Sequence, residues 1–250
     1  MIAVSCLYGQ EIGNGLKSFH SFQIDNRLAD DWKFRYGQLY TFSFEEDNQT
    51  FKFFQQSLEL EWRGHKHWRL SAYWKPTWFH YSNGTWGWIH ATGLRARYYT
   101  RWHRRALNYS VRAERFSPQQ RKYRYRFIGQ VRHELTRYRL PAKSALYTDM
   151  RLYYYLDGRP VNYYENGELM ASQPPNDFHR FRLTLGWRSK ASEHLRLSTY
   201  VTWNKEFNNP LTRYRDINEP SRSGRSIQAD FNNYLIIGTS MTLRLDMRNK

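Results

Sequence analysis

The sequence predicts an all-β fold, a closed up-and-down antiparallel transmembrane β-barrel of about 10–12 strands. Three observations predict it. Apolar and polar residues alternate with period two along nearly the whole chain, with no helix-period stripe. The alternating segments run about 10 to 14 residues, whereas soluble strands run about 5 or 6 and a tilted outer-membrane strand needs about 9 to 11. Aromatics make up 18% of the 250 residues, yet mean hydropathy is low, because the rings sit beside Arg and Lys rather than beside aliphatic residues. A barrel that shows apolar side chains to lipid and polar ones to its lumen reconciles rings with low hydropathy.

The segments follow in order. Residues 17–26 form the first candidate strand. In 32–44, Trp32, Phe34, Tyr36, Tyr40 and Phe42 oppose Lys33, Arg35, Gly37, Thr41 and Ser43. Because side chains alternate across a strand, the two sets point in opposite directions. Residues 51–62, 68–78, 86–102 and 106–116 continue the series. In 123–135, Tyr123, Tyr125, Phe127, Val131 and Leu135 oppose Arg124, Arg126, Gln130, Arg132 and Glu134. Residues 144–157 follow. In 179–188, Phe181, Leu183, Leu185 and Trp187 oppose Arg180, Arg182, Thr184 and Arg188. In 195–204, Leu195, Leu197, Val201 and Trp203 oppose Arg196, Ser198, Thr202 and Asn204. In 235–247, Leu235, Ile237, Met241, Leu243 and Leu245 oppose Gly238, Ser240, Thr242, Arg244 and Asp246.

The connections are of two sorts. Asp30-Asp31, 63–67, 102–105 and 190–193 are short; 158–177, marked by Asp157-Gly158, Asn166-Gly167 and Pro174-Pro175, and 207–230 are long. Simple up-down alternation puts both long loops on one side, as in barrels with long outer loops and short periplasmic turns. The segments number eleven. Bacterial barrels usually have even counts, so one strand is expected to have been missed, before Lys17 or inside 207–230, or invented.

The apolar faces are assigned to lipid, with Trp62, Trp68, Trp78, Trp86, Trp102, Trp187 and Trp203 near strand ends as interfacial girdles. The polar faces are assigned to the lumen. Its expected basic residues are Arg35, Arg69, Lys75, Arg95, Arg97, Arg101, Arg112, Arg124, Arg126, Arg132, Arg151, Arg180, Arg182, Arg196 and Arg244. Its expected acidic residues are Glu59, Glu61, Glu114, Glu134, Asp149 and Asp246, needed because buried charge must be satisfied. A soluble lipocalin-like barrel would reverse the faces, with rings inside and charges outside.

The formal net charge of +17 points to anionic partners such as lipopolysaccharide phosphates or small anions in a pore. Nucleic acid is not expected as a partner: basic and aromatic residues are spread over every strand rather than gathered in one patch. The partners expected are outer-membrane lipid, anions, and other outer-membrane proteins. Residues 1–10 read as the remnant of a signal peptide ahead of a single barrel domain, 11–250. The lone Cys6 excludes an internal disulfide framework; as a lipoprotein acceptor it has a poor motif in Ala3-Val4-Ser5.

No motif indicates chemistry. Gly13-Asn14-Gly15 is too short for a nucleotide loop. His65-Lys66-His67 reads as a solvated turn rather than a metal site. Glu59 and Glu61 share a face, but the abundant Arg favours ion pairs over acid–base work. His80 with Ser82, and His179 with Asp177, are the pairs a lipid-modifying enzyme could use. Asn83-Gly84-Thr85 reads as a tight turn rather than a glycosylation site. The expectation is a protein without catalytic residues, metal or cofactor.

Three stretches, Arg27-Leu28-Ala29-Asp30-Asp31-Trp32-Lys33, Glu59-Leu60-Glu61-Trp62-Arg63 and Leu185-Gly186-Trp187-Arg188-Ser189-Lys190, together with the ending Asn233 to Gly238 and Met241 to Leu245, resemble an outer-membrane barrel family of unknown function common in Bacteroidetes-type bacteria. The resemblance covers about residues 17–247. It departs at the C-terminus, Asp246-Met247-Arg248-Asn249-Lys250, where barrel insertion signals often carry an aromatic residue. The resemblance implies the barrel fold and an outer-membrane location, and brings no activity. The function expected is a structural or narrow, anion-leaning barrel of the bacterial outer membrane. The alternatives are an accessory subunit of a secretion or uptake assembly and a lipid-modifying enzyme.

Overall fold

Alternation with period two leaves one way for long strands to satisfy both edges, which is to close on themselves. The computed structural model describes residues 15–45, 48–80, 84–103, 105–135 and 144–246. In chain order the strands are β1 (Leu16–Arg27), β2 (Trp32–Glu45), β3 (Asn48–Trp62), β4 (Trp68–His80), β5 (Trp86–Trp102), β6 (Arg105–Ser117), β7 (Tyr125–Glu134), β8 (Ala145–Leu156), β9 (Val161–Glu165), β10 (Glu168–Gln173), β11 (Phe178–Lys190), β12 (Leu195–Glu206) and β13 (Tyr234–Asp246). Eleven of them close a barrel in the order β1-β13-β12-β11-β8-β7-β6-β5-β4-β3-β2. Among the described residues there is no helix.

The odd count sets how the ring closes. In an up-and-down barrel with an odd number of strands, the first and last run the same way. β1 and β13 accordingly pair in parallel, from Leu16–Leu235 to Arg27–Asp246, while every other barrel pair is antiparallel. The expectation of a miscounted strand is therefore corrected: 207–233 holds no barrel strand, and eleven is the barrel's own number. The residues before Gly15 lie outside the described ones.

One further element escaped the sequence reading. Inside the long loop after β8, β9 and β10 form a separate hairpin. Asn166 and Gly167 both have positive φ, 51° and 83°, the backbone of a type I′ two-residue turn. The Asn-Gly signal marked a hairpin rather than a plain loop.

The four connections read as short, after β1, β3, β5 and β11, lie at one end of the barrel. The 157–177 and 207–233 connections lie at the other, as expected. Pro76 sits inside β4 and cannot donate to a neighbour. The β3–β4 ladder skips there, from Gln55–Thr77 to Leu58–Trp74.

Three inward tyrosines lie across glycines of the adjacent strand. Tyr73 faces Gly93, Tyr147 faces Gly186, and Tyr200 faces Gly238, each pair in direct register. A Cβ on Gly93 would come within 2.6 Å of the Tyr73 ring, and one on Gly186 or Gly238 would collide with the ring of Tyr147 or Tyr200. Glycine is required because the ring occupies the side-chain space, and lying flat lets Tyr73 on β4 reach over β5 to β6.

Gly238→Ala is expected to destabilise the barrel by about 1–3 kcal/mol, as overpacking does. Gly129→Ala, with open space around it, is expected to change little. In a Tyr200→Ala background the Gly238→Ala cost should largely vanish. Urea titration followed by tryptophan fluorescence measures all three; equal costs in both backgrounds would refute the steric account.

Candidate functional site: the cationic lumen

The two faces of the wall are chemically opposite. Thr41, Ser43, Glu61, Glu114 and Asp149 point inward and are buried, while Leu94 is 66% exposed, Val111 63% and Leu185 56% on the outside. Trp32, Trp68 and Trp102 ring the short-turn end on the outside; Trp86, Trp88 and Trp203 lie toward the long-loop end. The charged groups thus lie inside, together with rings: Phe19, Phe53 and Phe79 line the cavity and pack on one another at about 6 Å. Tyr123 is the exception to the sequence assignment. It lies ahead of β7 and packs inside, 4.9 Å from the Phe116 ring and 4.6 Å from the Tyr155 ring.

The outer face carries a polar row across the parallel seam. Thr199, Thr239, His20 and Tyr40 are successive register partners. His20 Nδ1 hydrogen-bonds Thr239 Oγ1 at 2.9 Å. Beside the row, Gln38 donates to the Tyr36 hydroxyl at 2.7 Å.

The lumen encloses about 1150 Å³, lined by sixteen Lys and Arg side chains and four carboxylates. Isolated buried charge is costly, so these side chains are organised in clusters. On β1–β5, Asp25 holds Lys33 and accepts from Arg35 Nε at 2.9 Å. Arg35 reaches Glu59 at 2.8 Å; Arg95 and Arg97 also bind Glu59, and Arg97 binds Glu61. Arg63 Nε donates to Glu61 at 2.6 Å. Both glutamates are thus saturated by arginine.

On the opposite wall, Glu114 accepts from the Tyr73 hydroxyl at 2.9 Å, Lys75 at 3.0 Å and Arg126 at 2.6 and 2.8 Å. Asp149 pairs with Arg151 at 2.7 Å and accepts from Gln130. Glu134 meets Arg188 at 3.3 Å. Arg112 donates to Gln130 Oε1 at 2.6 Å, and Arg182 to Asn204 Oδ1 at 3.0 and 3.1 Å. The Arg132 guanidinium sits 3.9 Å over the Tyr147 ring. Arg196 and Arg244 line the same cavity.

Four residues assigned to the lumen lie at its mouths. Arg69 donates to the carbonyls of His65 and Trp68 in the short-turn rim. Arg101 and Asp246 are exposed at strand ends. Arg124 precedes β7 and pairs with Asp157 at 3.4 Å, both 42% exposed. Their parity is inward, but the strands carry them past the enclosed region, which corrects the assignment.

Other charged groups in the network were not singled out. Lys33 and Arg188 stood on polar faces already read. Glu206 lies just beyond the segment read as 195–204. Asp25 sits in a segment given no faces, and Lys122 in a loop without any signal. Glu206 is the hub of the long-loop end. It accepts from Arg180 Nε at 3.1 Å, the Tyr155 hydroxyl at 2.9 Å, Lys122 Nζ at 2.5 Å and Asn232 N–H at 2.8 Å. Lys122 also donates to the Asp230 carbonyl, and Asn204 to that of Asn232 at 2.5 Å. The end of the 207–233 loop is thereby tied to the inner wall.

The His179–Asp177 pair contacts two loops. Nδ1 of His179 lies 3.2 Å from the Phe207 carbonyl and Nε2 2.9 Å from that of Pro175. Asp177 accepts from Asn209 at 3.0 Å and Thr212 at 2.5 Å. Burial pushes the Asp177 carboxyl up, but hydrogen bonds from Thr212, Phe178 N–H and Asn209 outweigh it and hold the group below its ordinary value. The pair fastens two loops. Cys6, Gly13, Asn14, Ser82 and Asn83 lie outside the described residues. His67 Nδ1 hydrogen-bonds the Tyr99 carbonyl at 3.0 Å.

No protein-family profile matches the chain, and neither a characterised protein nor a solved structure is significantly similar to it.

Removing the hub carboxylate strands two buried cations, so Glu206→Ala is expected to cost about 3–5 kcal/mol. It should also speed proteolysis within 207–233, which timed digestion measures. The same loop is expected to respond to pH. Burial and the neighbouring Asp216 carboxyl raise Glu219 from 4.5 to about 6. A carboxyl raised on folding stabilises its loop fully below its unfolded value and loses that contribution as pH rises through the folded one. Protection of 207–233 from protease should therefore fall between about pH 4.5 and 6. Glu219→Gln should flatten that dependence; an unchanged profile in the variant would exclude Glu219 as its source.

Proposed function

We propose that this chain is a non-enzymatic barrel of the bacterial outer membrane, structural or with a narrow, anion-leaning lumen, belonging to the outer-membrane family it resembles. One observation carries the reading: a closed ring with its apolar side chains outside and its charges inside. An exterior carrying Leu94, Val111, Leu185 and Ile237 at mid-strand favours hydrocarbon over water as its solvent. Closure is what hydrocarbon requires, since unpaired backbone groups there cost several kcal/mol each. Tryptophan toward both ends fits interfacial belts. Sixteen lumen-lining Lys and Arg side chains against seven carboxylates, the four of the lining with Glu59, Glu134 and Glu206 behind them, favour anions over cations inside.

A second reading, an accessory subunit of a larger outer-membrane assembly, is favoured by the polar row at the seam. Polar side chains facing lipid are disfavoured and commonly face a protein neighbour. Stable co-purification from mild detergent, lost in His20→Leu, is its test.

The unboiled protein from outer-membrane fractions is expected to migrate differently from the boiled protein. A soluble protein without that shift would exclude the membrane reading. In planar bilayers the chain should give steps whose reversal potential in a KCl gradient favours chloride. Membrane insertion without ion-selective steps would remove the channel version and leave the structural one.

A further inference from the structure

The lumen's charge is not balanced evenly. On β1–β3 and β5, the arginines that meet Glu59 and Glu61 are bound to carboxylates. The facing wall, β6–β8 and β11, is built around Tyr153, which is 3% exposed. The guanidiniums of Arg126, Arg180 and Arg182 each lie 5.6 Å from its ring centroid. Arg126 and Arg180 have carboxylate partners in Glu114 and Glu206, but those partners are shared with Lys75 and Lys122. Arg182 and Arg112 donate instead to neutral oxygens, those of Asn204 and the Tyr234 hydroxyl for Arg182 and of Gln130 for Arg112. Arg112 Nε is buried without a hydrogen-bond partner among the described residues. A neutral acceptor orients a guanidinium without forming an ion pair with it.

We propose that this wall is a binding site for a multivalent oxyanion of the phosphate type, with Arg112 and Arg182 as its principal contacts and the Tyr153 cluster as its floor. The proposal deepens the anion-leaning reading and rests on it for access to the lumen. A guanidinium presents paired N–H groups that match two oxygens of one phosphate, which a monatomic anion cannot use. Half-buried guanidiniums attract an anion more strongly than fully solvated ones would. The bound anion would supply the charge and acceptors that the wall lacks, which explains why excess cations are tolerated there. The ring of strands separates the site from lipid tails, which favours a soluble phosphate over a lipid headgroup.

The test is calorimetric titration of the folded, full-length protein in detergent with pyrophosphate, at constant ionic strength set with chloride. Saturable binding is expected, weakened about tenfold or more in Arg182→Gln and in Arg112→Gln. Arg213→Gln, on the exposed loop, should not change it. Should the lumen variants fail to fold, the wild type still decides, since pyrophosphate should raise its unfolding temperature where equal-strength chloride does not. Lipid A in nanodiscs forms the second arm: competition with pyrophosphate would identify a headgroup as occupant, and absence of competition a soluble anion. Chloride-selective steps without saturable pyrophosphate binding would overturn the site and leave the channel reading intact. Binding without conductance would do the reverse.

Discussion

Everything in this molecule depends on the ring closing between β1 and β13. Until that pairing forms, the sheet has two bare edges and no inside. Once it forms, alternate residues face either a closed lumen or the outer surface. With eleven strands the last pair must be parallel. Parallel pairing is slightly weaker per residue than antiparallel, but it runs the full twelve positions from Leu16 to Arg27. Length offsets the weaker geometry.

Closure creates an electrostatic problem that the side chains then solve. More than a dozen basic groups are forced into one small space, and the carboxylates are too few to pair with them singly. Several carboxylates are therefore shared. Glu59 takes Arg35, Arg95 and Arg97; Glu114 takes Lys75 and Arg126; Glu206 takes Arg180 and Lys122. Tyrosine supplies what carboxylate cannot, as a hydrogen-bond donor to Glu114 and Glu206 and as a ring beneath guanidiniums. Tyr73 and Tyr147 fit because Gly93 and Gly186 across from them make room, so packing and electrostatics are solved there by the same residue pairs.

Much of this was legible in the residue order. The faces of 32–44, 179–188 and 195–204 needed only period-two counting, and the eleven segments correspond one to one with the eleven barrel strands. What failed did so for identifiable reasons. Tyr123 continues the alternation of β7 in sequence, yet precedes the strand and turns inward onto Phe116 and Tyr155. Arg101, Arg124 and Asp246 keep the inward parity but stand beyond the enclosed length, and parity carries no information about height. Glu206 looks unremarkable at a strand end; its role comes from Lys122, eighty-four positions away in sequence.

The sequence by itself determined which side chains share a face, how long the strands are and where the long loops fall. Those properties belong to local backbone geometry and to solvent preference, residue by residue. Only the tertiary structure decided the parallel seam, the sharing of Glu59, Glu114 and Glu206 among several cations, the tyrosine-over-glycine contacts and the tie between Lys122, Glu206 and the 207–233 loop. Each of these is a pairing between distant segments, set by strand number and register around a closed ring, and no local pattern encodes it.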